Sequence, residues 1–134
     1  METIKTIYKG ELRTSSLHLQ SGKIIITDAP TDNLGKGEAF SPTDLLTTAL
    51  ATCMITIMGI QARKNNFILE NVIARTTKIM VQNPRRVGEI QIDLDLAGNN
   101  FNEEQKQTLE NAALNCPVAK SLHPDLKQTV RFFF

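Results

Sequence analysis

An α+β fold is what this sequence predicts, and three observations predict it. The stretch from Ser41 to Lys64, SPTDLLTTALATCMITIMGIQARK, is long, almost uniformly apolar and bounded by helix signals. Groups of short alternating segments stand before and after it, without the regular strand–helix alternation of a parallel-sheet protein. A second, amphipathic helical segment follows the later strands, and the chain then runs into one more alternating segment.

The central segment opens on Ser41 and Pro42, a capping hydroxyl followed by a residue without the N–H that a first turn cannot use. Asp44 falls in the first turn and Arg63 and Lys64 in the last, which suits the helix dipole at both ends. Leu46, Leu50, Met54 and Met58 form one row at four-residue spacing; Leu45, Ala49, Cys53 and Ile57 form the row beside it. Thr48, Thr52 and Thr56 make a third row that is only weakly polar. A helix apolar nearly all round needs cover from several directions. On this reading it is a buried central helix of a soluble protein, too short and too rich in threonine for a membrane span.

Before it, Thr3–Lys9, Glu11–His18 and Lys23–Thr27 read as a meander of strands separated by Gly10 and by Gln20–Gly22. Asp28–Gly37, DAPTDNLGKG, reads as a turn-rich loop. After the helix, Leu69–Gln82 is rich in β-branched residues, and Asn83-Pro84 breaks it. Val87–Leu96 then sets Ile90, Ile92, Leu94 and Leu96 on one face against Glu89, Gln91, Asp93 and Asp95 on the other, an antiparallel hairpin with one solvated side. Asn102 and Gln105 have the spacing of a capping box, with Leu109, Ala112, Ala113 and Cys116 as the inward face that follows. Pro117 closes that helix and opens a short one, and Val130, Phe132 and Phe134 alternate as a final strand. The domain expectation is one unit over 1–134: strands and loop 1–40, central helix 41–64, hairpin 69–97, helices 102–123, final strand 127–134.

Size alone permits a single core in 134 residues. Fifteen basic against fourteen acidic side chains, one tyrosine and no tryptophan speak against nucleic acid and anionic membranes as partners. METIKTIYKGELR carries charges throughout and reads as no signal peptide, so a cytoplasmic location is expected. In a reducing compartment, Cys53 and Cys116 are thiols or a working redox pair before they are a staple.

A thiol in the middle of an apolar helix is by default a small core hydrophobe. Activating Cys53 needs a cation, because mid-helix it cannot use the dipole; Arg13, Arg63, Arg75, Arg85 and Arg86 are the candidates. Cys116 lies where the start of the helix after Pro117 would lower a thiol's pKa, or it is a buried cap residue. A metal site is not expected, since His123 and the cysteines form no close-set ligand pairs. Ser41 and Asp44 lack the GxSxG elbow of a hydrolase, and LGKGEAF lacks the GK(S/T) ending of a phosphate loop.

SPTDLLTTALATC, followed about sixty residues on by NCPVAKSLHP, resembles the two cysteine signatures of the OsmC/Ohr family, the osmotically inducible and organic hydroperoxide resistance proteins. The order of elements is similar over nearly the whole chain. The resemblance implies antiparallel sheets around the central helix in an intertwined homodimer, and thiol-dependent reduction of hydroperoxides without a bound cofactor. It implies that Cys53 is the peroxidatic cysteine, Cys116 the resolving one and Arg13 the activating arginine, with an organic hydroperoxide as substrate and an external dithiol, of lipoyl type or other, as reductant. Where the hydroperoxide-specific branch has an arginine-positioning glutamate after the motif proline, this chain has Thr43, with the acid one residue later at Asp44, which would orient the Arg13 guanidinium, and Glu38 as a possible substitute. The chain is therefore closer to the general OsmC-like group. Leu46, Leu50, Met54 and Phe40 are the expected apolar lining for an organic substrate. The rival readings are a binding or regulatory module on the same fold, and a structural dimer in which both thiols are core filler.

Overall fold

The structure, a computed structural model, describes residues 1–134 as two compact units, 1–46 and 47–134.

The first unit holds a three-stranded antiparallel sheet in the order β1 (Ile4–Gly10), β2 (Arg13–His18), β3 (Ile24–Asp28). Gly10, Glu11 and Leu12 all adopt left-handed backbone conformations, φ 87°, 53° and 63°, and make the turn between β1 and β2. That is why β2 starts at Arg13 and not at Glu11: the two preceding residues cannot hold extended geometry and turn the chain at once. Asp28 is the last residue of β3, opposite Arg13 in the register, whereas the sequence suggested the first residue of the loop. The loop is folded onto the sheet. Ala29 N–H donates to the Leu12 carbonyl at 3.0 Å, and Gly37 N–H to the Ala29 carbonyl at 3.2 Å. A side chain at Gly35 would collide with that same Ala29 carbonyl, so close backbone approach explains the glycine there. Thr27 and Phe40 form a parallel bridge that brings the loop's end back to β3.

Helix α1 (Pro42–Lys64) starts in the first unit with a reciprocal cap. Asp44 N–H donates to Ser41 Oγ and Ser41 N–H donates to Asp44 Oδ2, both at 3.0 Å. Its 23 residues, with a mean hydropathy of 1.7 over the most apolar window, are long and apolar enough to cross a bilayer on length and composition alone. The expectation that the segment is too short for this does not hold; its packing is the better guide.

In the second unit Leu50, Met54, Met58 and Ala62 of α1 share one core with β5 and α2. The sheet is β4 (Ile73–Val81), β5 (Arg86–Asp95) and β6 (Lys127–Phe133), with β5 in the middle. β4 and β5 are antiparallel; β6 runs parallel to β5, so this sheet is mixed where antiparallel pairing alone was expected. The crossover through α2 (Glu103–Leu114) and α3 (Pro117–Ser121) is what a parallel return requires. β4 begins at Ile73, four residues later than the sequence suggested, because Asn71 has φ 54° and Glu70 is held by the Asn99 side chain at both its N–H and its carbonyl, 3.1 and 2.7 Å. The β5 alternation is as expected: Ile90, Ile92 and Leu94, with Leu96 just beyond the strand, are fully buried. The Asn102–Gln105 capping box is complete at the start of α2.

Candidate active site

Cys53 lies in the middle of α1, half-buried against the core of the second unit. Cys116 is the N-cap of α3, in an extended conformation (φ −66°, ψ 155°), and is fully buried. Pro117 at N1 ends α2 and starts α3, which places the cysteine at the junction, as the sequence suggests. Both are free thiols, and they adjoin closely enough for Cys53 to bear on the protonation of Cys116. Burial pushes the Cys116 thiol up; the N–H groups of Ala119 and Val118 act in the opposite direction, and the neighbouring Cys53 adds to the rise. The expected lowering by the start of α3 is thus present but outweighed by desolvation. A buried thiol held in its protonated form is a poor first nucleophile. It is well suited to wait beside one.

Arg13 belongs to the first unit. Its Nε donates to Asp28 Oδ1 at 2.7 Å and its Nη2 to Asp28 Oδ2 at 2.8 Å, a two-pronged fork between residues directly opposite on β2 and β3. Nη2 also donates to Glu38 Oε1 at 2.9 Å, while Glu38 N–H donates to Asp28 Oδ2 at 3.1 Å. The guanidinium pKa is raised and the Asp28 carboxyl lowered, in each case chiefly by their mutual hydrogen bonds. Lys36, paired with Glu11 at 2.6 Å, adds positive charge nearby.

The acids found on Arg13 are therefore Glu38, which the sequence suggested as a substitute, and Asp28, which sequence reasoning missed. A carboxylate closing the apolar run IIIT was the available signal. Asp44 closes the α1 cap. Of the other arginines considered, Arg75 reaches Asp95 at 3.5 Å, and Arg86 donates to the carbonyls of Gln82 and Pro84 at 3.2 and 2.8 Å. Two of the residues expected to line a substrate pocket, Leu50 and Met54, are wholly inside the core; Leu46 and Phe40 keep open surface. No group of three or more His, Cys, Asp or Glu side chains is placed to hold a metal ion.

A family profile described as OsmC-like protein matches residues 35–131, a span that includes both cysteines. Among solved structures, a Psychrobacter arcticus 273-4 protein, provisionally named an osmotic stress induced and detoxification response protein, is 52% identical over 98% of this chain and 96% of its own, with a TM-score of 0.94. An organic hydroperoxide resistance protein OsmC from Legionella pneumophila superposes with a TM-score of 0.76 at 15% identity, covering 100% of this chain and 98% of its own. The organic hydroperoxide resistance protein OhrB of Bacillus subtilis gives 0.66 at 15% identity, with 98% of each chain covered. These two show a shared fold. A search of curated proteins finds no match. With the profile covering most of the chain and a close structural relative over nearly all of it, the chain belongs to the OsmC-like protein family.

Proposed function

We propose that this protein is a cysteine-based peroxidase that reduces organic hydroperoxides, acting as a homodimer in the cytoplasm. The observation that carries the reading is the asymmetric thiol pair, one cysteine with an open side and the other sealed beside it. The Cys53 thiolate attacks the distal oxygen of ROOH; the O–O bond breaks, the alcohol leaves with a proton, and Cys53 becomes a sulfenic acid. The Cys116 thiol then attacks that sulfur, the S–S bond forms and water leaves. An external dithiol exchanges through a mixed disulfide and restores both thiols. Arg13 is the cation we assign to the thiolate, and Asp44 is kept in the scheme as the residue that sets the start of α1.

Family membership supports this reading, as do the organic hydroperoxide resistance proteins among the structures of the same fold. Consumption of tert-butyl hydroperoxide in the presence of dithiothreitol tests it. Turnover is expected from the unaltered protein and none from Cys53→Ser; equal rates from both would refute the reading.

A further inference from the structure

Cys116 has no exposed surface, and the short helix it caps is fastened down. The Cys116 carbonyl accepts from Lys120 N–H at 3.1 Å, the Pro117 carbonyl from the Ser121 hydroxyl at 2.8 Å, and the Ala119 carbonyl from Gln128 Nε2 on β6 at 3.0 Å. Ala119 is itself part of the core. A thiol arriving from solvent cannot touch the Cys116 sulfur unless α3 lifts away. Cys53 differs. Its sulfur is within hydrogen-bonding reach of Cys116, yet its side chain is only half-buried, and Thr52 and Thr56, the residue before it and the one a turn after it, are exposed. Thiol–disulfide exchange depends on which sulfur is attacked and on access to it. A Cys53–Cys116 disulfide in this fold offers an incoming thiol one sulfur.

We infer that the external dithiol attacks the Cys53 sulfur and that Cys116 is the leaving thiol, so that the reductant never bonds to Cys116. This rests on the peroxidase reading above and adds the order of its last steps. The first thiolate of the reductant bonds to Cys53 Sγ, the Cys53–Cys116 bond breaks, and its electron pair stays on Cys116, which takes up the proton that the incoming thiol gave up. Main-chain N–H groups of Val118 and Ala119 face that sulfur and meet the charge as it develops. The second thiolate of the reductant then attacks its own sulfur in the mixed disulfide, closes a ring, and releases Cys53, which takes the second proton. The dithiol is oxidised to a disulfide and the protein pair is reduced to two thiols. A thiol whose pKa burial raises leaves slowly, so leaving-group ability opposes this order and access imposes it. With a monothiol the mixed disulfide on Cys53 is expected to revert, because Cys116 lies against it and re-forms the original bond.

The test starts from a disulfide made with diamide, which requires no peroxidase activity. The oxidised protein is exposed briefly to 2-mercaptoethanol, quenched in acid, and alkylated with N-ethylmaleimide in urea. Peptide mapping then assigns the adduct and the freed thiol. The expected product carries mercaptoethanol on Cys53 and maleimide on Cys116, about tenfold or more over the reverse, and the same exchange run in urea, where neither sulfur is sealed, loses that preference. Mercaptoethanol chiefly on Cys116, an even mixture from the folded protein, or an undiminished preference in urea would each overturn the proposal. A protein that gives the Cys53 adduct after diamide but consumes no tert-butyl hydroperoxide keeps this order of exchange and loses the peroxidase reading. If diamide forms no disulfide, both fall.

Discussion

Cys116 is sealed from solvent, while Cys53, its neighbour in the same core, keeps a partly open side. This asymmetry gives the two sulfurs different chemistry. Cys53→Ser should abolish peroxide consumption. Cys116→Ser should allow one turnover and then leave Cys53 as a sulfenic acid that dimedone traps, or overoxidise it. Mass spectrometry of the trapped adduct checks this, and recycling of Cys116→Ser by a dithiol at the normal rate would remove the resolving role.

Arg13→Ala should slow peroxide attack by well over tenfold, because the proposed scheme assigns its permanently charged guanidinium to the developing charge of the reaction. Asp44→Asn should cost less, since its carboxylate serves the α1 cap. Rapid-mixing rates at pH 7 compare the two; a larger loss in Asp44→Asn would reverse their assigned roles.

The Arg13–Asp28 pair also predicts an acid limb in stability. Arg13 holds the Asp28 carboxyl below its ordinary range, so its contribution is complete above the unfolded value of about 4 and disappears as pH falls through the lower folded value. Urea midpoints at neutral pH and below pH 4 should therefore differ more in the unaltered protein than in Asp28→Asn. Equal differences would mean that the pair does not couple to folding.

Much of this architecture could be read directly from residues. The two-residue alternation from Val87 to Leu96 can bury only one face, and Asn102 and Gln105 can satisfy each other only at the start of a helix. The parallel placement of β6 could not be read, because alternation at Val130, Phe132 and Phe134 says which face is buried and nothing about strand direction. The site divided in the same way. Cys116 at a helix junction follows from Pro117, whereas its adjacency to Cys53 depends on long-range packing. The fork on Asp28 depends on the cross-strand register of β2 and β3, which the turn closed by the His18 and Lys23 backbones sets.

Ile60 and Ile68 remain open beside a groove of about 600 Å³ lined by the last turns of α1 and the segment after it. Together with the apolar rows of α1, they lead us to expect a dimer. Sedimentation should give twice the chain mass down to low micromolar concentration. A soluble monomer with a cooperative melt would contradict it.

The most direct measurement for the account as a whole is the intact mass of the protein after one equivalent of an alkyl hydroperoxide, with and without prior alkylation. The account predicts a rapid loss of two hydrogens, about 2 Da, through a Cys53–Cys116 disulfide that a dithiol reverses. An unchanged mass with both thiols still open to alkylation, or a stable gain of oxygen at Cys53 with Cys116 free, would contradict it.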